Sequence, residues 1–154
     1  MPKESAGLLL HRRRNGALEV LLVHPGGPFW VNKDLGAWTI PKGEIMPGEA
    51  PLDATLREFQ EETGHAVAGA FQPLQLVQQS GRKIVHAWAV EADLDPTTVR
   101  SNEFEMEWPP RSGHRRSFPE IDRAQWFGVD QARRKINKAQ AALLDELEAL
   151  LADR

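Results

Sequence analysis

A chain of 154 residues, 41% hydrophobic and 27% charged, has the length of one ordinary domain and enough apolar content for a core. The absence of cysteine excludes a disulfide scaffold, a thiolate metal site and a cysteine nucleophile. A net charge of −3 argues against a stable nucleic-acid partner. With no run near the ~20 apolar residues that cross a bilayer and no apolar leader behind the first basic residues, one domain over residues 1–154 is expected in the cytoplasm, away from membranes.

Gly7–Leu10 and Leu18–His24 are short apolar runs separated by Arg12-Arg13-Arg14-Asn15-Gly16. Asn-Gly between two such runs predicts a β-hairpin, because both turn positions need positive φ. Pro25-Gly26-Gly27-Pro28 ends the second strand. A loop with Phe29 and Trp30 follows, then a short extended piece at 37–40 stopped by Pro41. From Pro51 to about Thr63 the pattern is helical, with proline in the first turn and Gly64 just past the last. Residues 72–79 and 84–92 read as strands around Ser80-Gly81. Residues 93–120 read as a long polar excursion, of the kind that is usually functional or mobile. Residues 125–128 suggest a short strand, and Ile136, Ala139, Leu143, Leu144, Leu147 and Leu151 predict one C-terminal helix. Strands and helices interleave without strict βαβ alternation, so the fold class is α/β in the α+β sense, a mixed sheet flanked by helices.

The segment 43–64 carries the chemistry. On a helical wheel Leu52, Leu56, Phe59 and Thr63 share a stripe, which is expected to be buried. Glu58, Glu61 and Glu62 gather on the opposite, exposed face at i, i+3 and i+4. Like charges at i, i+4 destabilise a helix by roughly 0.2–0.5 kcal/mol per pair. Acids near the negative end of the helix dipole add to that cost. A cation removes both penalties, and oxygen ligands without Cys or His favour a hard ion, Mg²⁺ or Mn²⁺. The competing reading is a solvated acidic face.

Context decides between them. Gly43, Glu49, Arg57, Glu58, Glu61, Glu62 and Gly64 match the pattern Gly-x5-Glu-x7-Arg-Glu-U-x-Glu-Glu-x-Gly-U, where U is a bulky aliphatic residue. By average residue usage, chance would supply all seven less than about once in 10⁶ chains of this length. On these residues the chain resembles the Nudix hydrolase family. Phe59 fills the first U position. His65 departs from the second, where Val67 is the candidate replacement contact. Trp38-Thr-Ile-Pro-Lys-Gly43 is similar to the strand and turn that lead into the motif.

The resemblance implies the Nudix fold, a mixed sheet sandwiched between helices, and hydrolysis of a nucleoside diphosphate linked to a further group, with Mg²⁺ as cofactor and Mn²⁺ as substitute. It implies Glu58, Glu61 and Glu62 as metal ligands, completed by the Lys42 carbonyl. Glu120 is a further ligand or general base, and Glu49 and Arg57 orient the ligands through a salt bridge. Phosphates not covered by metal are expected to meet Lys42, Arg82, Lys83, Arg115 or Arg116. Trp30, Trp108 and Phe118 are the candidates to stack a base, with Trp88 placed in the core and His86 near the sheet surface.

Pro41-Lys-Gly-Glu44 is similar to branches that cleave dinucleoside polyphosphates and diphosphoinositol polyphosphates. The second class calls for a distinctly basic pocket that a net charge of −3 does not promise, and members of the first commonly stack adenine on tyrosine, which this chain lacks. The expected partner is therefore a small-molecule nucleotide, a dinucleoside polyphosphate ahead of a (d)NTP. The alternative from another class is a Nudix-fold module that binds nucleotide or RNA without hydrolysis, usually marked by loss of the motif's acids, all of which are present here.

Overall fold

The computed structural model describes residues 3–79 and 82–152; the Ser80-Gly81 turn lies outside them. In chain order the elements are β1 (Glu4–Arg14), β2 (Ala17–Pro25), β3 (Lys42–Glu44), α1 (Pro51–Thr63), β4 (Gln72–Pro73), β5 (Val77–Gln79), β6 (Lys83–Glu91), β7 (Glu103–Glu107), β8 (Arg115–Pro119), β9 (Ile121–Gly128), α2 (Val129–Lys135) and α3 (Ala141–Ala152). The β1–β2 hairpin turns on Asn15 and Gly16, at φ 52° and 79°, as the dipeptide predicts.

β1 organises a mixed sheet ordered β4–β6–β1–β2–β9. One edge of β1 pairs in parallel with β6, from Glu4↔Ile84 to His11↔Glu91. The other edge is divided: Ser5, Ala6 and Gly7 pair with β3, while His11 to Arg14 pair with β2. That division leaves room between β2 and β3, where Thr39 bridges Val23.

Both faces of the sheet are covered, which is why the apolar runs of β1 and β2 are nearly continuous rather than alternating. Leu9, Val20 and Leu22 face a core built with Trp38, Ala132, Ile136, Leu143, Leu144 and Leu147 from the C-terminal helices. Leu8, Leu10 and Leu21 face the other way, onto Phe59 of α1 together with Val90 and Trp126. The helices therefore lie on both faces, the sandwich expected.

Several boundaries differ from the sequence reading. Residues 72–79 form two short strands, β4 and β5, because the chain leaves β6 at Gln75, whose amide donates to the Glu146 carboxylate at 2.8 Å, and at Leu76. The stretch 93–120 is not structureless: it holds a 3-10 turn at Pro96–Thr98 and a separate two-stranded sheet, β7–β8, registered from Glu103↔Pro119 to Glu107↔Arg115. The late strand begins at Ile121 rather than 125, since residues 121–124 pair with the end of β2. The single C-terminal helix is two helices. Ile136, 1% exposed, is extended and bridges Trp38, and the Asn137 amide donates to the Trp38 carbonyl at 2.7 Å. Packing against Trp38 outweighs continued helical hydrogen bonding there. Among the described residues no helix is long and apolar enough to cross a membrane.

Candidate active site

α1 begins with Pro51 in its first turn and ends on Gly64, whose φ of 77° lets its amide close on the Gln60 carbonyl at 2.8 Å. Phe59, 1% exposed, anchors the helix to the sheet. Thr55, Phe59 and Glu62 fall at i, i+4 and i+7, one face of the helix, and all three are buried. This corrects the expected exposed acidic face. Leu52 and Leu56 are only half-buried, and the glutamates turn toward β1 and β3, so that Glu62 is 9% exposed. The wheel relates residues on a helix to one another, but β3 packing beside α1 decides which of them meet water.

Glu62 Oε2 accepts the Lys42 amide at 3.1 Å. Burial, reinforced by the like charges of Glu120 and Glu58, pushes its carboxyl up to about 8 despite the nearby Lys42. Burial also raises Glu58, against the pull of Arg57. Glu58 lies so close to β3 that a Cβ on Gly43 would sit 1.9 Å from its Oε2. Gly43 therefore serves close approach, whereas Gly48, at φ 79°, and Gly64 need glycine's left-handed freedom. Glu61 is the more open of the three, with 41% of its side chain exposed.

Arg57 ties this cluster together. Its Nε and Nη2 donate to Glu49 at 2.8 and 2.9 Å, and its Nη2 to the Glu44 carbonyl at 3.0 Å. Its Nη1 donates to Glu58 at 2.8 Å and to Glu61 at 3.1 Å. The Arg57 fork, helped by the Met46 amide, holds Glu49 down at about 2.

Glu120 arrives from the other side of the chain. Its amide donates to the Asn102 carbonyl at 2.9 Å, the Asn102 amide donates to the Glu61 carbonyl at 3.1 Å, and the Gly26 amide donates to the Glu120 carbonyl at 2.9 Å. Glu120 is exposed as a residue, yet its carboxyl is raised, first by partial burial and then by Glu58 and Glu61. Four carboxylates that the sequence spreads over 63 positions thus feel one another's charge.

Among the described residues no three acids or histidines converge on a single point as they stand; two of the glutamates direct oxygens at Arg57 instead. The donor chemistry still fits a hard divalent cation. All four groups offer carboxylate oxygens, and Glu62 is buried beside like charges with one amide and an ammonium to offset them. The Lys42 amide is one backbone group at the cluster. The Lys42 ammonium is lowered first by burial and also by Lys83, against the pull of Glu62 and Glu58, so Lys42 lies near both carboxylates and near Lys83.

The remaining candidates are more dispersed. Arg82, exposed at φ 61°, immediately precedes β6. Arg115 and Arg116 are exposed on β8, Arg116 lying 5.6 Å over the Phe118 ring. Phe118 is half-buried against Phe104 at 6.0 Å rather than presented freely. Trp30 is exposed, as expected. Trp88 is half-buried, and with Val67 it packs on the α1 side of the core. His65 donates or accepts at Thr98, 2.8 Å away, a polar contact in place of the aliphatic one. His86 pairs with Glu4 at 3.1 Å on the sheet. Trp108, the further stacking candidate, is half-buried and meets Phe29 at 5.8 Å, and Lys33 lies over Trp30; the sequence reading gave Phe29 and Lys33 no role.

Clustered carboxylates braced by arginine beside a Gly-containing strand offer the oxygen donors that a divalent-cation-dependent phosphate hydrolase needs. A model of the NUDIX domain matches residues 1–147, and the chain belongs to that family. The bis(5'-nucleosyl)-tetraphosphatase (asymmetrical) of Sus scrofa is 28% identical over 164 residues, covering 98% of this chain and 92% of the relative. A crystal structure of a Caenorhabditis elegans Ap4A hydrolase binary complex superposes with a TM-score of 0.69 at 24% identity over 99% of each chain. The NUDIX domain of Shewanella oneidensis NrtR, complexed with ADP ribose, gives 0.66 at 16% identity over 98% of this chain and 89% of that one. The protein is a Nudix-type hydrolase acting on pyrophosphate bonds, in a family that generally needs a divalent metal.

Proposed function

We propose that this protein is a Mg²⁺-dependent hydrolase of dinucleoside polyphosphates, carried by one domain over residues 1–154, with Mn²⁺ able to substitute. The observation that carries the reading is the group Glu58, Glu61, Glu62 and Glu120, held together at an electrostatic cost with only partial compensation. These four would hold the cation, with the Lys42 carbonyl as a further ligand. A divalent ion there would neutralise phosphate charge and make a bound water more acidic.

The chain's own residues supply the rest. Arg57, clamped by Glu49, keeps Glu58 and Glu61 at the head of the site and prevents their mutual repulsion from splaying them. The Glu120 carboxylate takes the proton of the attacking water. Lys42 and Lys83, with Arg82, Arg115 and Arg116 farther out, meet phosphate oxygens. The Pro41-Lys-Gly-Glu44 lead into the motif and the names of the pig and nematode relatives support a dinucleoside polyphosphate ahead of a (d)NTP.

Hydrolysis in ¹⁸O-labelled water with mass spectrometry of the products tests the assignment. Diadenosine tetraphosphate is expected to give AMP and ATP with one label between them. Turnover of (d)NTPs to labelled monophosphate and pyrophosphate, with dinucleotides untouched, would replace the substrate class. Binding without cleavage under any divalent ion would remove the reaction itself.

A further inference from the structure

Resting on the hydrolase reading above, we propose that loop 26–36 is the protein's base-recognition platform, on which Trp30 stacks a substrate nucleobase while Lys33 meets the adjoining phosphate. Among the described residues, the aromatic rings of the Phe and Trp side chains are exposed only at Phe29, 61%, and Trp30, 37%; the others are buried or half-buried. The chain has no tyrosine to do the stacking instead.

Position and rigidity point the same way. The loop starts at Gly26, whose amide is bonded to the Glu120 carbonyl. Trp30 is four residues farther on, at most about 14 Å of extended chain from that bond. A free loop would lose much of the stacking energy to ordering, but this one is already fixed. Buried His24 donates from Nε2 to the Lys33 carbonyl at 2.7 Å, and the Lys33 amide donates to the Trp30 carbonyl at 2.9 Å. From outside, Phe29 meets Trp108 of the β7–β8 hairpin edge to face at 5.8 Å.

The chemistry presented is that of a nucleotide. Lys33 Nζ stands 4.9 Å over one face of the Trp30 ring, so the ring's other face is the one on which a base stacks, and a cation lies across the ring from it. A nucleobase needs the first and its phosphate the second. Stacking on tryptophan is tolerant of base identity, because every base has a π-face. The platform therefore selects nucleotides from other polyphosphates rather than adenine from guanine.

The test compares diadenosine tetraphosphate with ribose 5'-tetraphosphate, which has the anhydride chain but no base. Trp30→Ala is expected to lower kcat/KM for the dinucleotide about 10-fold or more, through KM, and to leave the base-free compound unchanged. Trp30→Phe should recover most of the loss. Calorimetry with the dinucleotide in EDTA should show the same order of affinities without any turnover. Equal effects of Trp30→Ala on both compounds, or on neither, overturn the platform while leaving the hydrolase reading intact. If Trp30→Ala does not fold, Trp30→Leu, apolar but without a π-face, carries the same comparison. Wild type that cleaves neither compound overturns the hydrolase reading and this one with it.

Discussion

Gly43→Ala separates the geometry of the carboxylate site from the stability of the fold. Gly43 is not in a left-handed conformation, so alanine meets no backbone strain. The new Cβ would, however, sit 1.9 Å from Glu58 Oε2 and 2.0 Å from its Cδ, where ordinary contact begins at 3.4 Å. The carboxylate must retreat by roughly 1.5 Å, since it is the mobile partner of the clash and the β3 backbone is held against β1. A misplacement of about 1 Å at reacting groups can cost about 100-fold in rate, or about 2.7 kcal/mol of transition-state stabilisation. Initial rates of diadenosine tetraphosphate hydrolysis with Mg²⁺ should fall by about that factor, with Tm little changed. Gly48→Ala is the opposite control: at φ 79° with open space around it, it should lower stability by about 1–3 kcal/mol while keeping Glu58 in place. Wild-type rates in Gly43→Ala would refute the placement of Glu58, as would a rate loss fully explained by unfolding.

Three further outcomes follow from the same contacts. Glu49→Gln weakens the charged fork that steadies Arg57, and half-saturation by Mg²⁺ should require about 10–100-fold more ion; an unchanged titration would remove Glu49 from the site. Phe59→Ala empties the anchor of α1 and should cost about 3–5 kcal/mol in urea denaturation, a loss under about 1 kcal/mol showing that the helix docks by other means. Asp34, held down chiefly by Lys135 and also by the Trp38 indole, Asp93, held down by the Arg12 hydrogen bond, and Glu49, at about 2, are all depressed in the folded state. Their stabilisation is complete above about pH 4.5 and is lost as pH falls toward 2, so Tm should drop across that window and Asp34→Asn should flatten the drop. A Tm constant from pH 5 to 2.5 would contradict it.

Much of the molecule was legible because its signals are local. Asn15-Gly16 specifies positive φ twice in succession and so a hairpin, whatever surrounds it. Pro51 and Gly64 bracket α1 through their own backbone preferences. The spacing of Glu49, Arg57, Glu58, Glu61 and Glu62 sets angles around one helix and identifies the chemistry. The Glu-Phe-Glu-Met-Glu alternation of β7 has a period of two but lies within the stretch read as a polar excursion, and its partner β8, eight residues on beyond an irregular turn, shows no such alternation.

Tertiary structure decided what depends on residues far apart in the chain. Periodicity ran on through Ile136, yet a bridge to Trp38, nearly a hundred positions earlier, ended α2 there. Helical angles grouped Glu62 with the solvent face, and only β3 crossing beside α1 buried it against the Lys42 amide. Glu120 became a neighbour of Glu61 through Asn102, and Phe29 became a neighbour of Trp108 across the β7–β8 hairpin. Backbone preference and spacing act over a few residues and are written in order along the chain. Burial and charge proximity arise only when remote segments compete for the same surface, and that competition is settled by packing.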